Sequence, residues 1–363
     1  MNSRASSRLL LVATLLIAVA ESSRAQSAPQ AFALFSPAMI SALRAQRESP
    51  LARQFIKEAD AHIAQAPSPM PRLHTEGTLP HQGIRDQSIE AERDFDYMQS
   101  FAFAYRFTGE KKYLDAESRY LAAWCSTYKI SLNPIDETRF DPVIISLDLT
   151  RADLPPTVNA QAVAFFREMS ERYLDWEDHN ATKDNANWNS HRIKLLTLGA
   201  YISGDASLIH RAAVAFRAQV KQNIRDDGSV QDFYKRDALH YVTYDLEPLV
   251  TAAIAAKAHG EDWFHTAATG KPSVEIAVSW LIPYAKGEKT HEEFVHSTVA
   301  FDAARDKAGE KGYSGAWDRA ASVNLLGLVT WLDPAYASTL QQVAAKTRNP
   351  SPWIQLGIAT TAK

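Results

Sequence analysis

The sequence predicts an all-α protein built from helical hairpins. Three stretches carry small and apolar residues at three- and four-residue spacing and are then interrupted by a glycine followed by an acid, at Gly109-Glu110, Gly204-Asp205 and Gly260-Glu261. Glycine directly after such a run ends a helix. An acid suits the first turn of the next helix, where it faces the positive end of the helix dipole. We therefore expect three tight αα-hairpins.

Two weaker breaks lie at 154–156 (Leu-Pro-Pro) and 332–334 (Leu-Asp-Pro). The first three intervals between breaks, of about 46, 49 and 56 residues, each leave room for two helices with their loops. The longer last interval predicts an additional element around 283–314, and residues 143–149 are the one short candidate for a strand. Repeated hairpins form either an open solenoid or a closed ring, and their spacing alone does not distinguish the two.

The composition is that of a soluble globular protein, with 46% hydrophobic and 22% charged residues among 363. The formal charge of −3 argues against a nucleic-acid-binding surface spread over the whole protein. The sequence contains no glycine-rich nucleotide loop. Its single cysteine, Cys125, excludes an internal disulfide and a cysteine-based zinc site.

Residues 1–25 have the pattern of a secretory signal peptide. Arg4 and Arg8 precede the apolar run Leu9–Ala20, whose twelve residues are too few to span a bilayer. We expect cleavage after Ala25, with Ala20 as the alternative, leaving a single domain over 26–363. No later apolar run is long enough to span a membrane. These observations predict a periplasmic or secreted bacterial protein.

Two proline-containing stretches, 66–92 and 128–143, interrupt the helical pattern. They are expected to be loops across the helical scaffold, either simple covers or binding elements. Their polar residues are His74, Glu76, His81, Arg85, Asn133, Asp136, Glu137 and Arg139. The spacing of His74, Glu76 and His81 fits no standard metal motif, so we expect neither a metal nor a cofactor.

The first polar cluster spans 179–196. It contains His179, Asn180, Lys183, Asp184, Asn185, Asn187, Trp188, Asn189, His191 and Arg192. An apolar helix follows, so 189–191 are expected in a loop that enters a helix. Amides and an imidazole at a helix N-terminus suit an anionic ligand, and Trp188 offers a flat apolar face to a sugar ring. The alternative is a capped helix with a solvated, asparagine-rich turn.

The second polar cluster spans 226–250. A turn at 227–229 precedes Tyr234, Lys235, Arg236, His240, Tyr241 and Tyr244. On a helix, Asp237, Tyr241 and Tyr244 share one face, and His240 and Tyr244 share another. A tyrosine beside a cation suits proton transfer, because the cation favours the phenolate. The alternative is that these tyrosines pack in the core with their hydroxyls hydrogen-bonded.

The two clusters, at 185–192 and 235–250, resemble the alginate lyases, periplasmic helical-toroid enzymes that cut poly-mannuronate. The likeness covers roughly 95–335 and implies an (α/α) toroid, an incomplete barrel of helical hairpins. Three positions depart from the family. Ser190 stands where the family has asparagine, and Val242 stands where it often has histidine. Tyr234 stands where the family has arginine, and Arg236 would supply that positive charge. These departures leave another polyuronate, such as glucuronan, open as the substrate.

The resemblance implies cleavage of a 1,4-linked polyuronate by β-elimination. A neutralised sugar carboxylate stabilises the charge that develops when the C5 proton leaves, and the candidates for this role are Asn187, Asn189, His191 and Arg236. Tyr241 would act as both base and acid on mannuronate; on guluronate, His191 would be the base and Tyr241 the acid. The substrate-binding candidates are Trp188, Tyr234, His240, Tyr244, Arg139, Arg85, Lys183 and Asn133.

Three other interpretations remain open. An α/α glycoside hydrolase needs two carboxylates across a cleft, for which Asp94, Glu137 and Asp245 are available. A periplasmic uronate-binding protein would keep a basic, aromatic groove without needing Tyr241. A helical scaffold for protein partners would need neither cluster. For the lyase we expect an acidic polysaccharide as partner, no nucleic acid, no membrane after signal cleavage, and a monomer.

Overall fold

Helix follows helix along the part of the chain that the computed structural model describes, which is residues 31–180, 186–266 and 272–361. The helices are α1 (Pro37–Leu43), α2 (Pro50–His62), α3 (Arg85–Ala91), α4 (Arg93–Thr108), α5 (Lys111–Thr127), α6 (Pro134–Glu137), α7 (Asp141–Thr150), α8 (Pro156–Asn180), α9 (Asn187–Ser203), α10 (Ala206–Asn223), α11 (Gln231–Arg236), α12 (Leu239–Ala258), α13 (Val274–Lys286), α14 (Ala300–Lys307), α15 (Val323–Leu332), α16 (Ala337–Ala344) and α17 (Pro352–Thr361). Within these ranges β pairing is limited to two isolated bridges, 224 with 230 and 292 with 316. The all-α prediction is confirmed.

The helices form a closed ring of two layers. In the inner layer α4 packs on α7, α7 on α9, α9 on α12, α12 on α15 and α15 on α17, and α1 connects α17 back to α4. The outer helices α2, α5, α8, α10, α13 and α16 each pack against the inner helix next to them. The toroid is therefore confirmed, and closure of the ring excludes the open solenoid.

Hydrophobicity separates the two layers. The inner helices α9, α12 and α15 bury almost every side chain, polar ones included. Outer helices such as α2 and α10 bury one face and expose the other. A helix that is apolar on all sides must be covered on all sides, and the inner layer of a ring provides that cover.

Two of the three predicted hairpins are confirmed. Gly109 and Gly204 end α4 and α9 with φ of 75° and 68°, a left-handed conformation that glycine adopts without strain. Asp205 then caps α10, because its carboxylate accepts the backbone N–H of Ser207 at 2.9 Å. The breaks at 154–156 and 332–334 also lie where helices end and begin.

The prediction of a third tight hairpin at Gly260 is wrong. Helix α12 ends at Ala258, but residues 261–266 do not start a helix. The Asp262 carboxylate instead accepts the backbone N–H of Phe264 and of His265, at 3.1 and 3.0 Å. This local turn competes with the first turn of a helix.

Other predicted segments also differ in detail. The strand candidate 143–149 lies inside α7, where every one of its residues is buried between neighbouring helices. The stretch 128–143 is a loop only to residue 133, after which Pro134 begins α6. The additional element expected within 283–314 is present and contains α14. The segment 66–84 is a loop, followed by α3.

No helix in the described ranges is both long and apolar enough to cross a membrane. Residues 1–25, the predicted signal peptide, lie outside the described residues.

The contact between α8 and α9 generates a stability prediction. A Cβ atom on Gly199 of α9 would overlap the carbonyl oxygen of Phe166 and lie 3.1 Å from the Cβ of Ser170, both on α8. Gly199→Ala is therefore expected to reduce the free energy of unfolding by about 1–3 kcal/mol, measured by urea denaturation. Ala160→Ser, at an exposed position of α8, is the control and should leave it within about 0.5 kcal/mol. If Gly199→Ala left the free energy of unfolding unchanged, that result would contradict the close packing of α8 on α9.

Candidate functional site

A cavity of about 340 Å³ lies where the N-terminal ends of α9 and α12 meet α3, α14 and the loop before α3. We call it the central cavity. Its walls contain residues of both sequence clusters. It is lined by Thr75, Glu76, Gly77, Arg85, Ile89, Glu92, Ile135, Asn187, Trp188, Arg236, His240, Tyr241, Tyr244, Phe301, Arg305, Glu310 and Tyr313. Two clusters about fifty residues apart in sequence therefore meet at one site.

Tyr241 lies between two cations in this cavity. Its hydroxyl accepts a hydrogen bond from Nη1 of Arg305 at 2.8 Å. The guanidinium carbon of Arg236 lies 3.9 Å from the centre of its ring. The side chain is only 5% exposed. The Tyr241 hydroxyl is therefore held at the cavity wall between two guanidinium groups.

Arg236 is held by two buried carboxylates. It forms an ion pair with Asp302, and its Nε lies 3.6 Å from an oxygen of Asp232. The residue after it, Asp237, has a left-handed backbone with φ of 49° and separates α11 from α12. The expectation that Asp237 shares a helix face with Tyr241 and Tyr244 is therefore wrong, because α12 begins only at Leu239.

The first cluster begins its helix earlier than expected. Helix α9 starts at Asn187, and Ala186 before it contributes no side-chain cap. Asp232 supplies the cap instead, accepting the backbone N–H of Asn187 at 2.7 Å and its side-chain amide at 2.8 Å. The loop expected at 189–191 is thus the first turn of a helix. The positive, N-terminal end of α9 therefore faces the carboxylate of Asp232. Asn187 and half-buried Trp188, in the same first turn, line the cavity.

Asn189 lies away from the central cavity. Its amide donates to Oε1 of Gln219 at 2.8 Å, and its oxygen accepts from Arg192. The side chain is 3% exposed. Of the two asparagines predicted to neutralise a sugar carboxylate, the structure places Asn187 at the cavity and buries Asn189 in a structural network.

His191 lines a second cavity, of about 260 Å³, which shares Tyr244 with the central cavity. The ring centres of His191 and Tyr244 are 4.2 Å apart, and those of Tyr244 and Tyr241 are 6.1 Å apart. His191 is therefore not among the residues that line the central cavity with Tyr241. Tyr244 lines both cavities, and burial raises the pKa of its phenol.

His191 is hydrogen-bonded through Nδ1. This nitrogen lies 2.6 Å from Oγ1 of Thr138, which also accepts from Nζ of Lys194 at 2.8 Å. Burial, followed by the charge of Lys194, holds the pKa of His191 well below its ordinary value. Both effects favour the neutral imidazole.

The two predicted arginines are in different places. Arg85 lines the central cavity, where its Nη1 forms an ion pair with Glu310 at 2.9 Å. Arg139 lines the second cavity and pairs with Asp96 at 2.9 Å. Only Arg85 is therefore placed to meet a ligand in the central cavity.

Two further binding candidates lie elsewhere. Asn133 caps α6, because its side-chain oxygen accepts the backbone N–H of Ile135 at 3.1 Å. Tyr234 is 47% exposed, with the Arg225 guanidinium carbon 3.4 Å from its ring centre and its hydroxyl bonded to Ser229 at 2.9 Å. The structure thus gives both residues structural partners outside the cavity. Lys183 lies outside the described residues.

Arg305 and Tyr313 are site residues that the sequence analysis did not identify. Arg305 lies on α14 and Tyr313 in the segment after it, and both line the central cavity. Backbone hydrogen bonds fold this part of the chain over the start of α12, from Phe294 to Asp237 and from Thr298 to Lys235. No local motif marks either residue; the one signal was the long interval that predicted an additional element.

The carboxylates considered for a hydrolase lie outside the central cavity and have buried partners. Asp94 accepts from Trp124 at 2.8 Å, Glu137 from Tyr128 at 3.0 Å, and Asp245 from Asn223 at 2.6 Å. Glu92 does line the cavity, and burial, opposed by Arg139, raises its pKa to about 7.

A metal site is not apparent where the chain is described. No group of three or more histidine, cysteine, aspartate or glutamate side chains in those residues is arranged to hold an ion. His74 bonds to Asp136 at 2.9 Å and His81 to Asp86 at 2.6 Å, so each of these histidines has its own carboxylate.

Comparisons with known proteins point to one family. The sequence profile described as alginate lyase matches residues 40–291. A search of curated protein sequences finds no match. Among solved structures, an alginate lyase from Bacteroides ovatus is 16% identical with a TM-score of 0.66, covering 90% of this chain and 98% of that one. An alginate lyase from a Sphingomonas species is 16% identical with a TM-score of 0.56, covering 83% and 90%.

A variant of the Sphingomonas enzyme with histidine replaced by alanine was solved in complex with a tetrasaccharide. It is 16% identical to this chain with a TM-score of 0.55, covering 84% of this chain and 89% of that one. At this identity the solved structures establish a shared fold.

His240 generates a prediction about pH. Burial, then the charges of Arg305 and Arg236, lower its pKa from 6.5 to about 4. A lowered pKa means that the neutral ring stabilises the fold fully above about pH 6.5 and that this stabilisation is lost as the pH falls towards 4. Between these pH values the wild type should therefore lose more stability than His240→Gln, measured by thermal melting.

The control for this experiment is His210→Gln, at an exposed position on α10. It should retain the pH dependence of the wild type. Parallel pH profiles for the wild type and His240→Gln would contradict the assignment of this effect to His240.

Proposed function

Because the chain belongs to the alginate lyase family, and is therefore a polysaccharide lyase, we propose that it cleaves poly-β-D-mannuronate by β-elimination with Tyr241 as the base. The observation that supports this most directly is the position of the Tyr241 hydroxyl, at the wall of the central cavity and 2.8 Å from the Arg305 guanidinium. A glucuronan lyase with the same site is the alternative within the family.

The cavity is suited to an acidic sugar. Removing the C5 proton next to a carboxylate places negative charge on that carboxylate, which must be neutralised. Asn187 and Arg236 from the sequence analysis remain candidates, and Arg305 joins them. Within the described residues the hydrogen bonds of Arg305 go to two phenols, so its charge is not offset by a bonded carboxylate. The cavity cations would hold the sugar's acid group beside Tyr241.

Stereochemistry favours mannuronate over guluronate. In mannuronate H5 and O4 lie on the same face of the ring, so groups on one cavity wall can serve both. Guluronate needs a base on the opposite face, for which His191 was the candidate. His191 does not line the central cavity; it lines the second cavity, and its ring centre is 4.2 Å from that of Tyr244. Glucuronate shares the C4 and C5 geometry of mannuronate and differs at C2, so the same argument applies to glucuronan.

We further propose that the enzyme acts outside the cytoplasm, as a periplasmic or secreted protein, after removal of residues 1–25. The basic, apolar and small-residue pattern of this segment supports export.

The Tyr241→Phe variant tests the base. Removing the hydroxyl should reduce kcat on poly-mannuronate by about 10²-fold or more, because general base catalysis contributes that much. The rate is followed by the ultraviolet absorbance of the conjugated C4–C5 double bond. Tyr284→Phe, on α13 outside the cavity, is the matched control and should keep the wild-type rate. Full activity in Tyr241→Phe would end the assignment.

A panel of polymers tests the substrate class. Poly-mannuronate, poly-guluronate and glucuronan are incubated separately, and absorbance and reducing ends are measured together. We expect poly-mannuronate to be cleaved at least about tenfold faster than poly-guluronate, because the cavity offers a base on one face only. Reducing ends without absorbance would indicate a hydrolase, and binding without either product would indicate a uronate-binding protein. Equal rates on mannuronate and guluronate would contradict the geometric argument.

A further inference from the structure

We propose that Tyr313 is a second proton-transfer residue, which protonates the leaving O4 while Tyr241 removes H5, and that Arg305 couples the two phenols. This inference rests on the proposed function and deepens it, since it assigns the acid step to a residue outside the 40–291 region that matches the family profile. The resemblance implied that Tyr241 performs both steps.

The inference starts from one shared donor. Nη1 of Arg305 donates to the hydroxyl of Tyr241 at 2.8 Å and to that of Tyr313 at 2.5 Å. The two phenol oxygens are therefore no more than about 5.3 Å apart, the sum of these distances. Both side chains are buried, at 5% and 9% exposure, and both line the central cavity. A sugar ring at this wall would meet two phenols on one face.

Tyr313 is held in place by aromatic packing. Its ring stacks on Phe294 with the ring centres 5.1 Å apart, and Phe294 in turn packs on Tyr241 at 6.0 Å. His240 contacts Tyr313 from another side, at 5.3 Å. The two hydroxyls are thus positioned by a cluster of rings that includes both tyrosines.

The segment that carries Arg305 and Tyr313 is tied to the start of α12 by buried polar contacts. The Glu293 carboxylate accepts the backbone N–H groups of Leu239 and His240, at 2.7 and 3.0 Å. Asp302, which is 1% exposed, bonds to Arg236 and to Ser297. These contacts fix α14 against the helix that carries Tyr241, so the shared hydrogen bond is part of the packed structure.

The two phenols differ in how many cations contact them. Tyr241 has two guanidinium groups beside it, Arg305 at its hydroxyl and Arg236 over its ring. Within the described residues Tyr313 contacts a single guanidinium, that of Arg305, and burial, followed by the proximity of Tyr241, raises its pKa above the ordinary value. The phenol with two cations beside it is therefore assigned as the base, and Tyr313 as the acid.

The proposed step balances without any co-reactant. The Tyr241 phenolate takes H5, the C5–H electron pair becomes the C4–C5 double bond, and the C4–O4 bond breaks as O4 takes the Tyr313 proton. Tyr241 is then a phenol and Tyr313 a phenolate. Transfer of one proton from Tyr241 to Tyr313, across the site that Arg305 bridges, restores the starting state.

The experiment compares two leaving groups. Wild type, Tyr313→Phe, Tyr241→Phe and the control Tyr284→Phe are assayed on poly-mannuronate and on a methyl mannuronoside carrying 4-nitrophenol at O4, a group that leaves without protonation. On the polymer, Tyr313→Phe should lose about 10²–10⁴-fold in kcat, with KM little changed. On the nitrophenyl compound it should come within about tenfold of wild type, because the acid is no longer needed. Tyr241→Phe should be slow on both.

Each remaining outcome decides the question. Wild-type polymer activity in Tyr313→Phe, or an equal loss on both substrates, overturns the acid role and leaves the Tyr241 assignment intact. Full activity in Tyr241→Phe instead overturns the proposed function. If Tyr313→Phe melts far below wild type, Tyr313→His is assayed as well. Because histidine can also donate a proton, the proposal is supported if Tyr313→His is more active than Tyr313→Phe on the polymer but not on the nitrophenyl compound. No gain on the polymer opposes the proposal.

Discussion

The arrangement of the site depends on one buried carboxylate, that of Asp232. It accepts the backbone and side-chain N–H groups of Asn187 and lies 3.6 Å from Arg236. The start of α9, which brings Trp188 to the cavity, and the end of α11, which brings Arg236 to the ring of Tyr241, are thereby held in one relative position. A buried donor left without its acceptor costs about 1–3 kcal/mol, so this arrangement is strongly favoured over alternatives.

The electrostatics of the cavity follow from burial as much as from charge count. The whole chain carries a formal charge of −3, which opposes the approach of an acidic polymer. Inside the cavity, burial lowers the pKa of His240 to about 4 and raises that of Glu92 to about 7. Arg85 and Arg236 are paired with carboxylates, whereas within the described residues the hydrogen bonds of Arg305 go to two phenols. Arg305 is therefore the cation beside Tyr241 that is best placed to bind an anion within an acidic protein.

Seven of the candidate residues named from the sequence line the cavity: Asn187, Trp188, Arg236, His240, Tyr241, Tyr244 and Arg85. Asn189 and His191 do not line it, for a local reason. Helix α9 starts at Asn187 because Asp232 caps it from another helix. Successive residues of a helix are rotated by about 100°, so once 189–191 are helical they cannot all face the cavity. Asn189 instead faces Gln219, and His191 faces Thr138.

The amino-acid sequence by itself determined the helical content, the five breaks between helices and the two polar clusters, because these depend on side chains within a few turns of one another. Ring closure and the position of Arg305 depended on the tertiary structure. Arg305 and Tyr241 are 64 residues apart, and Asn187 and Asp232 are 45 apart. Such pairs form only when whole helices pack, and no local spacing encodes them.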